Sequence, residues 1–364
     1  MHTTVNRHSE VVHPSTTISI DAMGGDLGPT AVIAGIVRAA RKNAGIHFLL
    51  HGPSKQLEKL VSKRHSLSGR VTVIDSNEVV KMEDKPSHII RHGKETSMWS
   101  AIDSVRDGSA SVCVSCGNTG ALMALSMLRL RKLTGVNRPA IAILWPSSNP
   151  MGFNVMLDVG ADIKADAKDL LQYALMGVSY ARNGLGVTTP RVGLLNVGTE
   201  QHKGRNELKE AFSKIEQCQR EANFSFEGFV EGSDIPGSKV DVIVTDGFTG
   251  NVALKTGEGT ASLIGYLLRE AFKFSPLSML ASLLAFTSLN RLKMRIDPRR
   301  VNGGVFLGLN GTVVKSHGSA DATGIEAAIK LAFELSRNDF SQKVAARVAY
   351  AGAIDNDMHE DAYK

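Results

Sequence analysis

Short β-branched runs alternate with longer amphipathic stretches from Thr17 onward, and this alternation constrains the fold more than any other feature of the chain. The first half contains TISID, HFLLHG and VTVID, and the second half contains RVGLLNVG and KVDVIVTDG. The stretches between them have helical spacing, so the pattern predicts βαβ units. Because such crossovers return helices to both faces of the strands, we predict an α/β protein built on a mostly parallel sheet.

The domain organisation predicted from the sequence is simple. The 364 residues contain no internal repeat and no linker rich in glycine, proline and serine, so residues 17–364 are expected to form one domain with room for two lobes. Residues 1–16 are polar and lack helical or strand periodicity, which predicts a flexible N-terminal extension. The N-terminus lacks the apolar core of a signal peptide, and no apolar run reaches the roughly 18 residues of a membrane span. We therefore expect a protein that is neither secreted nor transmembrane.

The three cysteines do not make a disulfide framework, which favours a reducing, cytoplasmic compartment. Cys113 and Cys116 form a formal CxxC, but residues three apart in a strand face opposite sides, which opposes joint metal binding. The chain carries 42 basic and 36 acidic residues, an excess that fits a nucleic acid, an anionic substrate or an anionic membrane surface. The cations are dispersed and no zinc-finger, RNA-recognition or basic-zipper pattern is present, so a nucleic-acid partner is not expected.

Polar and glycine clusters follow the predicted strands, where open α/β sheets bind their ligands. The first cluster, DAMGGDLGPTA, has Asp21 at the strand end and Gly24 and Gly25 in the turn. These residues favour a substrate-binding loop, because glycine lets the backbone approach a ligand closely. A tight turn without a ligand would need the same glycines, so this alternative stays open.

The second cluster, SVCVSCGNTGALMAL, passes from an apolar strand directly into an apolar helix. Backbone amides from Gly117 to Gly120 would point at an anion, and the Asn118 and Thr119 side chains would supply further donors. The spacing matches neither the Walker A loop nor the GxGxxG fingerprint, so it does not indicate a nucleotide.

Two clusters in the second half add further candidates. LLNVGTEQHKGRNELKEAF places Lys203 and Arg205 in a loop, where they would hold phosphate oxygens, although a solvated helix start would have the same composition. VIVTDGFTGNVALKT places Asp246 and Asn251 at another strand-to-helix turn.

The fifth cluster, GLNGTVVKSHGSADATG, places Lys315 and His317 on the same side of an extended segment. A lone histidine is more often structural than catalytic, but the Lys-x-His-Gly sequence at a strand end favours a functional site. We expect Lys203, Arg205, Lys315 and His317 to converge on phosphate together with the amides of the second cluster.

Six ordered motifs together resemble a known family over roughly residues 17–345. They are DAMGGDLGP, HGKETSMWSAI, SCGNTGALMA, NVGTEQHKG, VTDGFTGNVALK and GLNGTVVKSHGSAD, and they are similar to those of the PlsX family of bacterial acyl-ACP:phosphate acyltransferases. Cys116 departs from the pattern, since a small residue such as alanine is expected there, and it should narrow the pocket.

The resemblance implies transfer of a long fatty acyl chain from acyl carrier protein to inorganic phosphate. The acyl phosphate would then serve a membrane glycerol-3-phosphate acyltransferase in phospholipid (phosphatidic acid) synthesis. It also implies a homodimer and a fold similar to those of isocitrate and isopropylmalate dehydrogenases and of phosphotransacetylase. The catalytic residues would be Asn118, Thr119, Lys315 and His317, with Lys94 of the second motif added to the substrate-binding residues.

The proposed reaction needs no covalent enzyme intermediate, which fits the lack of a recognisable nucleophile and base. The sequence has neither a nicotinamide fingerprint nor a ligand-spaced metal cluster, so no cofactor and no metal are expected. Two alternatives stay open: a dehydrogenase-like or phosphotransacetylase-like enzyme of the same fold, and, less favoured, a basic nucleic-acid-binding protein.

The segment near 275–295, SPLSMLASLLAFTSLNRLKMR, is the most apolar stretch of the chain. At about 14 apolar-dominated residues it is too short to span a bilayer of about 30 Å, which predicts an apolar helical excursion. Basic residues flank it, so an interfacial helix on an anionic membrane would explain it, as would a helix buried in the core or at a dimer contact. We favour peripheral membrane association, and the predicted contact residues are Leu277, Leu280, Leu283, Leu284 and Phe286.

Overall fold

The computed structural model of the protein describes residues 16–296, 303–337, 340 and 342–347. The predicted N-terminal extension lies outside the described residues, except that Thr16 already begins the first strand. The strands within the described residues are β1 (Thr16–Asp21), β2 (Ile46–Gly52), β3 (Val71–Asp75), β4 (Val112–Ser115), β5 (Ala140–Pro146), β6 (Phe153–Leu157), β7 (Arg191–Leu195), β8 (Ser225–Val230), β9 (Val242–Val244), β10 (Gly304–Leu307) and β11 (Thr312–Lys315).

Helices connect most of these strands, as the alternating sequence pattern predicts. The α-helices in the described ranges are α1 (Gly28–Lys42), α2 (Ser54–Val61), α3 (Pro86–His92), α4 (Ser97–Arg106), α5 (Thr119–Arg129), α6 (Ala167–Leu185), α7 (Asn206–Cys218), α8 (Gly247–Lys273), α9 (Pro276–Leu284), α10 (Phe286–Ile296) and α11 (Ala322–Ser336). Short 3₁₀ turns occupy His65–Leu67, Gly93–Glu95 and Gly232–Asp234.

Local sequence sets the ends of these helices. At the start of α6, Asp166 and Asp169 form a capping box in which each side chain accepts the other residue's backbone N–H. Gly186 ends the same helix at φ 77°, a left-handed conformation that glycine adopts without steric cost. Both ends of α6 are therefore set by residues that can be recognised in the sequence.

The strands form one sheet in the order β3-β2-β1-β4-β11-β10-β5-β6-β9-β7-β8. Seven of the ten neighbouring pairs are parallel, which confirms the predicted mostly parallel sheet. Two separate hydrophobic clusters lie on its two faces, one packed under α1, α6 and α11 and the other under α4 and α5. The predicted helices on both faces are thus confirmed.

The direction of the strands reverses across the sheet, a feature that periodicity did not predict. β10 is antiparallel to both β11 and β5, and β5 is antiparallel to β6. As a result β6, β9, β7 and β8 run opposite to β1, β4 and β11. We call the end where Asp21, Ser115 and Lys315 terminate their strands the Lys315 end. The carboxyl ends of β7 and β9 lie at the other end.

The apolar segment near 275–295 forms two helices, α9 and α10, separated at Ala285. Ser275 caps α9 by accepting a hydrogen bond from the Ser278 amide at 3.1 Å. Among the helices within the described ranges, none combines the length and the apolar character that crossing a bilayer requires.

A buried histidine joins the first two strands to α4. His51 is fully buried; its Nε2 lies 3.0 Å from the Ser19 hydroxyl and its Nδ1 lies 2.8 Å from the Ser100 hydroxyl. The Ser104 hydroxyl is a further neighbour at 3.4 Å. Burial lowers the pKa of His51 to about 4, although the charge of Asp107 acts in the opposite direction. The ring is therefore held neutral in the folded protein.

This histidine predicts a loss of stability in mild acid. Its folded-state pKa lies below the unfolded value of 6.5, so its contribution is complete above pH 6.5 and is lost as the pH falls toward about 4. Over that window the group accounts for about 3 kcal/mol of unfolding free energy, at about 1.4 kcal/mol per pKa unit. Urea unfolding of His51→Gln between pH 4 and 7 should show a correspondingly shallower pH dependence than the wild type.

The exposed His65 supplies the matched control, since His65→Gln should keep the wild-type pH dependence. A His51→Gln variant with the full wild-type slope would contradict the prediction.

Candidate active site

A cavity of about 520 Å³ lies between α8 and the face of β5 and β10, a size typical of small-molecule sites. From β5, Ile141, Ile143 and Trp145 line it, since alternate residues of a strand share one face. From α8, Leu254 and Ala261 line the facing side. This part of the cavity is an apolar channel.

Close packing between α8 and β5 depends on one glycine. A Cβ atom added to Gly257 would lie 2.6 Å from Cη2 of Trp145, closer than real Cβ contacts. The missing side chain lets the helix approach the indole ring. Gly257 therefore sets the width of the channel beside Trp145.

Polar residues lie at one end of the channel. Lys315 ends β11, His317 follows it, and Thr119 begins α5 directly after β4. β4 and β11 are parallel neighbours with Lys315 opposite Ser115, so the two following loops meet at the Lys315 end. Asn251, on the first turns of α8 after β9, lines the cavity from the other end of the sheet.

The Lys315 side chain is half-buried. Burial lowers the pKa of its ammonium to about 8, although the nearby Cys116, Asp21 and Asp26 favour the charged form. The ammonium donates a hydrogen bond to the carbonyl of Ser316. Burial raises the pKa of the adjacent Cys116 thiol to about 11, so the thiol form dominates at neutral pH and a thiolate nucleophile is not supplied here.

His317 has one ring nitrogen fixed by its own loop. Its Nδ1 accepts a hydrogen bond from the Ser319 backbone N–H at 3.2 Å and lies 2.8 Å from the Ser319 hydroxyl. Because Nδ1 is the acceptor, the neutral ring carries its proton on Nε2. His317 thus has the tautomer of a potential Nε2–H donor at the polar end of the channel.

Asp21 lies behind this polar end and does not line the cavity. It is buried and accepts hydrogen bonds from the Ser97 and Ser115 hydroxyls, both at 2.7 Å, and the Ser115 hydroxyl oxygen in turn accepts from the Gly117 N–H at 3.0 Å. Burial raises the pKa of Asp21, while these hydrogen bonds act against the rise. Its position makes it a support for the loops after β1 and β4.

Both glycines of the first cluster belong to the same support. A Cβ atom on Gly24 would lie 2.5 Å from the Asp21 carboxylate and 2.7 Å from the Gly117 nitrogen. Gly25 packs against Cys116, and the next residue, Asp26, donates its N–H to the Gly318 carbonyl at 2.8 Å. The loops after β1, β4 and β11 are therefore locked together by backbone contacts that larger residues would block.

Asn118 caps α5 in this structure. Its Oδ1 accepts from the Ala121 N–H at 2.9 Å, and its Nδ2 donates to the carbonyls of Met82 and Asp84 at 2.6 and 3.3 Å. These contacts give the side chain a capping and tethering role. Its predicted function as a donor to substrate stays a prediction.

Other predicted residues lie outside the lining. Lys203 forms an ion pair with Glu200 at 2.8 Å, and Arg205 donates to Asp246, which also caps α8. These residues follow β7 and β9 at the end of the sheet opposite to Lys315, and the structure does not bring them to His317. The reversal of strand direction is the reason.

The remaining predicted residues lie around the polar end. Lys94 is exposed in a 3₁₀ turn, and Gly120 at the start of α5 faces Pro86, whose Cγ would lie 3.1 Å from an added Cβ. Neither residue lines the cavity. Across the described ranges 16–296 and 303–337, no three His, Cys, Asp or Glu side chains are grouped as metal ligands.

An ion pair in the lining was not among the residues predicted from the sequence. Lys255 and Glu258 both line the cavity, and their side chains pair at 2.8 Å. Lys255 is four residues after Asn251, so helical periodicity on the predicted helix would have placed it on the same face.

The loop after β6 was also missed. Asp158 is buried and accepts hydrogen bonds from four backbone N–H groups, and burial raises its pKa to about 6. It shapes the turn that places Gly160 next to the Asn251 side chain, and both residues line the cavity. The LDVGAD sequence has the same pattern of a strand-end aspartate and glycine as the first cluster.

Comparison with solved structures first defines the class. A phosphotransacetylase from Streptococcus pyogenes superposes with a TM-score of 0.59 at 16% identity, covering 89% of this chain and 94% of that one. A putative 4-hydroxythreonine-4-phosphate dehydrogenase from Salmonella typhimurium superposes with a TM-score of 0.50 at 13% identity, covering 89% of this chain and 100% of that one. The fold is therefore one that phosphotransacetylases have, as predicted, and it is similar to that of this dehydrogenase.

Sequence similarity then narrows the class to one family. The family described as "Fatty acid synthesis protein" matches residues 16–343. The phosphate acyltransferase of Ruegeria sp. (strain TM1040) is 70% identical over 342 residues, which cover 94% of this chain and 91% of that protein. The chain belongs to the PlsX family of phosphate acyltransferases, and the resemblance found in its motifs is confirmed.

The contacts of Asn118 lead to a test that separates capping from catalysis. Asn118→Ala should lower the unfolding free energy by about 1 kcal/mol, because α5 loses its N-cap, and Asn118→Ser should restore most of it. Urea unfolding measures both variants, and activity is assayed in parallel. A normal stability for Asn118→Ala with a kcat loss of about 100-fold would instead identify the amide as a transition-state donor.

Proposed function

We propose that this protein transfers a long acyl chain from acyl carrier protein to inorganic phosphate, producing an acyl phosphate for phospholipid synthesis. The observation that carries the proposal is the composition of the cavity, an apolar channel along β5 and α8 that ends at Lys315, His317 and Thr119. An acyl phosphate and its thioester precursor have the same division into an apolar chain and a polar head. Membership of the phosphate acyltransferase family supports this assignment.

The positive charge at the polar end suits the acceptor. Lys315 would hold a phosphate oxygen, and because it is half-buried its charge is less screened than that of a fully exposed lysine. The amino end of α5, with Thr119 as its first residue, adds the positive end of a helix dipole. Phosphate placed here would adjoin the carbonyl of a chain lying in the channel.

The chemical step joins phosphate and the acyl group directly. A phosphate oxygen attacks the thioester carbonyl carbon, the carbon–oxygen bond forms, and the tetrahedral oxyanion collapses with cleavage of the carbon–sulfur bond. The electron pair leaves on sulfur, the proton that hydrogen phosphate loses as it becomes the acyl phosphate completes the free thiol, and the Nε2–H of His317 would donate a hydrogen bond to the departing sulfur. First-turn amides of α5 would stabilise the oxyanion.

Partners and location are part of the same proposal. Exposed apolar side chains on α8, among them Leu263, Tyr266 and Leu267, would pack in a homodimer. On α9 and α10 the predicted membrane residues are all exposed, with Leu277 76% and Leu284 80% accessible. We propose that α9 and α10 lie on an anionic membrane, where the acyl phosphate would pass to a membrane glycerol-3-phosphate acyltransferase.

Trapping of the product with hydroxylamine tests the function. Purified protein with palmitoyl-ACP and phosphate should give a hydroxamate that is absent when phosphate is omitted, and Lys315→Ala should lower the rate of hydroxamate formation at least about tenfold.

Since the ammonium of Lys315 has a pKa of about 8, the KM for phosphate should rise about tenfold between pH 7 and 9 as the charge is lost. Lys315→Arg should keep the KM flat over this range because its charge persists.

Absence of phosphate-dependent hydroxamate at any phosphate concentration would refute the proposed function. A KM for phosphate that rises equally in the wild type and in Lys315→Arg would remove Lys315 from the phosphate site.

The membrane contact is tested with charges on α9. Leu280→Glu combined with Leu284→Glu should abolish co-sedimentation with anionic liposomes, while the dimer and the activity in solution stay largely intact. The same pair changed to alanine is the control, which should weaken binding only in part. A glutamate variant that precipitates or dissociates would show that the segment is buried in the assembly and would contradict the membrane proposal.

A further inference from the structure

One face of α3 is basic. Lys85 caps the helix, His88 and Arg91 follow at spacings of three residues, and His92 lies one turn after His88, with their rings 4.7 Å apart. All four side chains are exposed, while Ile89 of the same helix is buried. We call these four residues the α3 basic face.

Within the part of the chain that the structure describes, Lys85 and Arg91 of this face have no acidic partner. Among the described residues, the ion pairs of the protein leave out both Lys85 and Arg91. The nearby Asp84 turns its carboxylate toward its own loop, where it accepts the Lys81 N–H at 2.8 Å. The positive potential of the face is therefore available to a partner.

The α3 basic face lies beside the polar end of the candidate active site. Pro86, the first residue of α3, faces Gly120 at the start of α5. The loop leading into α3 is tethered to Asn118 through the carbonyl of Met82, and the Met82 methyl group would lie 2.6 Å from a Cβ atom on Gly318. The segment from 82 to 92 thus borders the loops that carry Thr119 and His317.

We propose that the α3 basic face docks the acidic carrier protein that delivers the acyl thioester, an inference that rests on the proposed function. A thioester carried on a protein must reach Lys315 and His317 from outside, and a positive surface at the entrance orients an acidic donor toward them. Ile90 of the same helix is 39% exposed and would add an apolar contact beside Arg91, at the edge of the face.

The composition of this surface favours a protein over a lipid surface. On α3 only Ile90 is a large exposed apolar side chain, whereas α9 and α10 expose several leucines and a phenylalanine. Interfacial helices need a continuous apolar face, but protein docking sites combine a small apolar centre with a polar rim.

Charge reversal tests the docking surface with two donors. Lys85→Glu combined with Arg91→Glu should lower kcat/KM with palmitoyl-ACP by about tenfold or more, and the loss should shrink at high salt. With decanoyl-N-acetylcysteamine, a neutral thioester without a protein, the same variant should keep the wild-type kcat/KM. Lys85→Arg with Arg91→Lys should behave as the wild type with both donors.

Lys55→Glu combined with Lys59→Glu is the matched control. Both lysines are exposed on α2, the helix that precedes β3, and β3 lies four strands away from β11 in the sheet order. The substitutions change the net charge by the same amount as the α3 variant, and they should leave kcat/KM unchanged with both thioester donors.

The outcomes separate this inference from the function on which it rests. Wild-type protein that forms no acyl phosphate from either thioester would refute the proposed function itself. Active wild type with an α3 variant that loses both donors equally, or neither, would overturn the docking assignment alone. An α3 variant that loses binding to anionic liposomes but keeps normal kinetics with palmitoyl-ACP would assign the face to lipid and overturn it as well.

Discussion

The parallel pairing of β11 with β4 is the contact on which the rest of the site depends. β11 comes nearly two hundred residues after β4 in the chain, yet it lies beside it with Lys315 opposite Ser115. This pairing inserts a strand from the second half of the sequence into the sheet of the first half. It also brings β10 against β5, and so creates the face over which α8 closes the channel.

The buried Asp21 carboxylate stabilises the loops after β1 and β4 without lining the cavity itself. Removing a carboxylate from water is unfavourable unless hydrogen bonds satisfy its oxygens, and here the hydroxyls of Ser97 and Ser115 do so. Because the Ser115 hydroxyl also accepts a hydrogen bond from the Gly117 amide, the carboxylate positions the loop before α5 indirectly, through Ser115. The residues that touch the cavity are thus positioned by residues that do not.

Sequence reasoning recovered the sheet, its helices and the loops that carry Thr119, Lys315 and His317, because periodicity and glycine clusters are local signals. It could not recover strand direction, since a β-branched run reads the same whether its neighbour is parallel or antiparallel. For that reason Lys203 and Arg205 were expected beside Lys315, although β7 runs the opposite way. The capping contacts of Asn118 could not be predicted either, because an asparagine directly before a helix could equally cap the helix or donate to a substrate.

The glycines of α8 have a consequence for the local stability of the channel wall. Gly257 gives room to Trp145, but Gly259 and Gly265 face open space and gain no packing in return. Each interior glycine costs a helix roughly 1 kcal/mol relative to alanine, so the wall of the channel is intrinsically less stable than its 27 residues suggest. A helix that is destabilised by interior glycines requires less free energy to open locally. This wall, α8, is therefore the element of the channel best suited to open locally and close again.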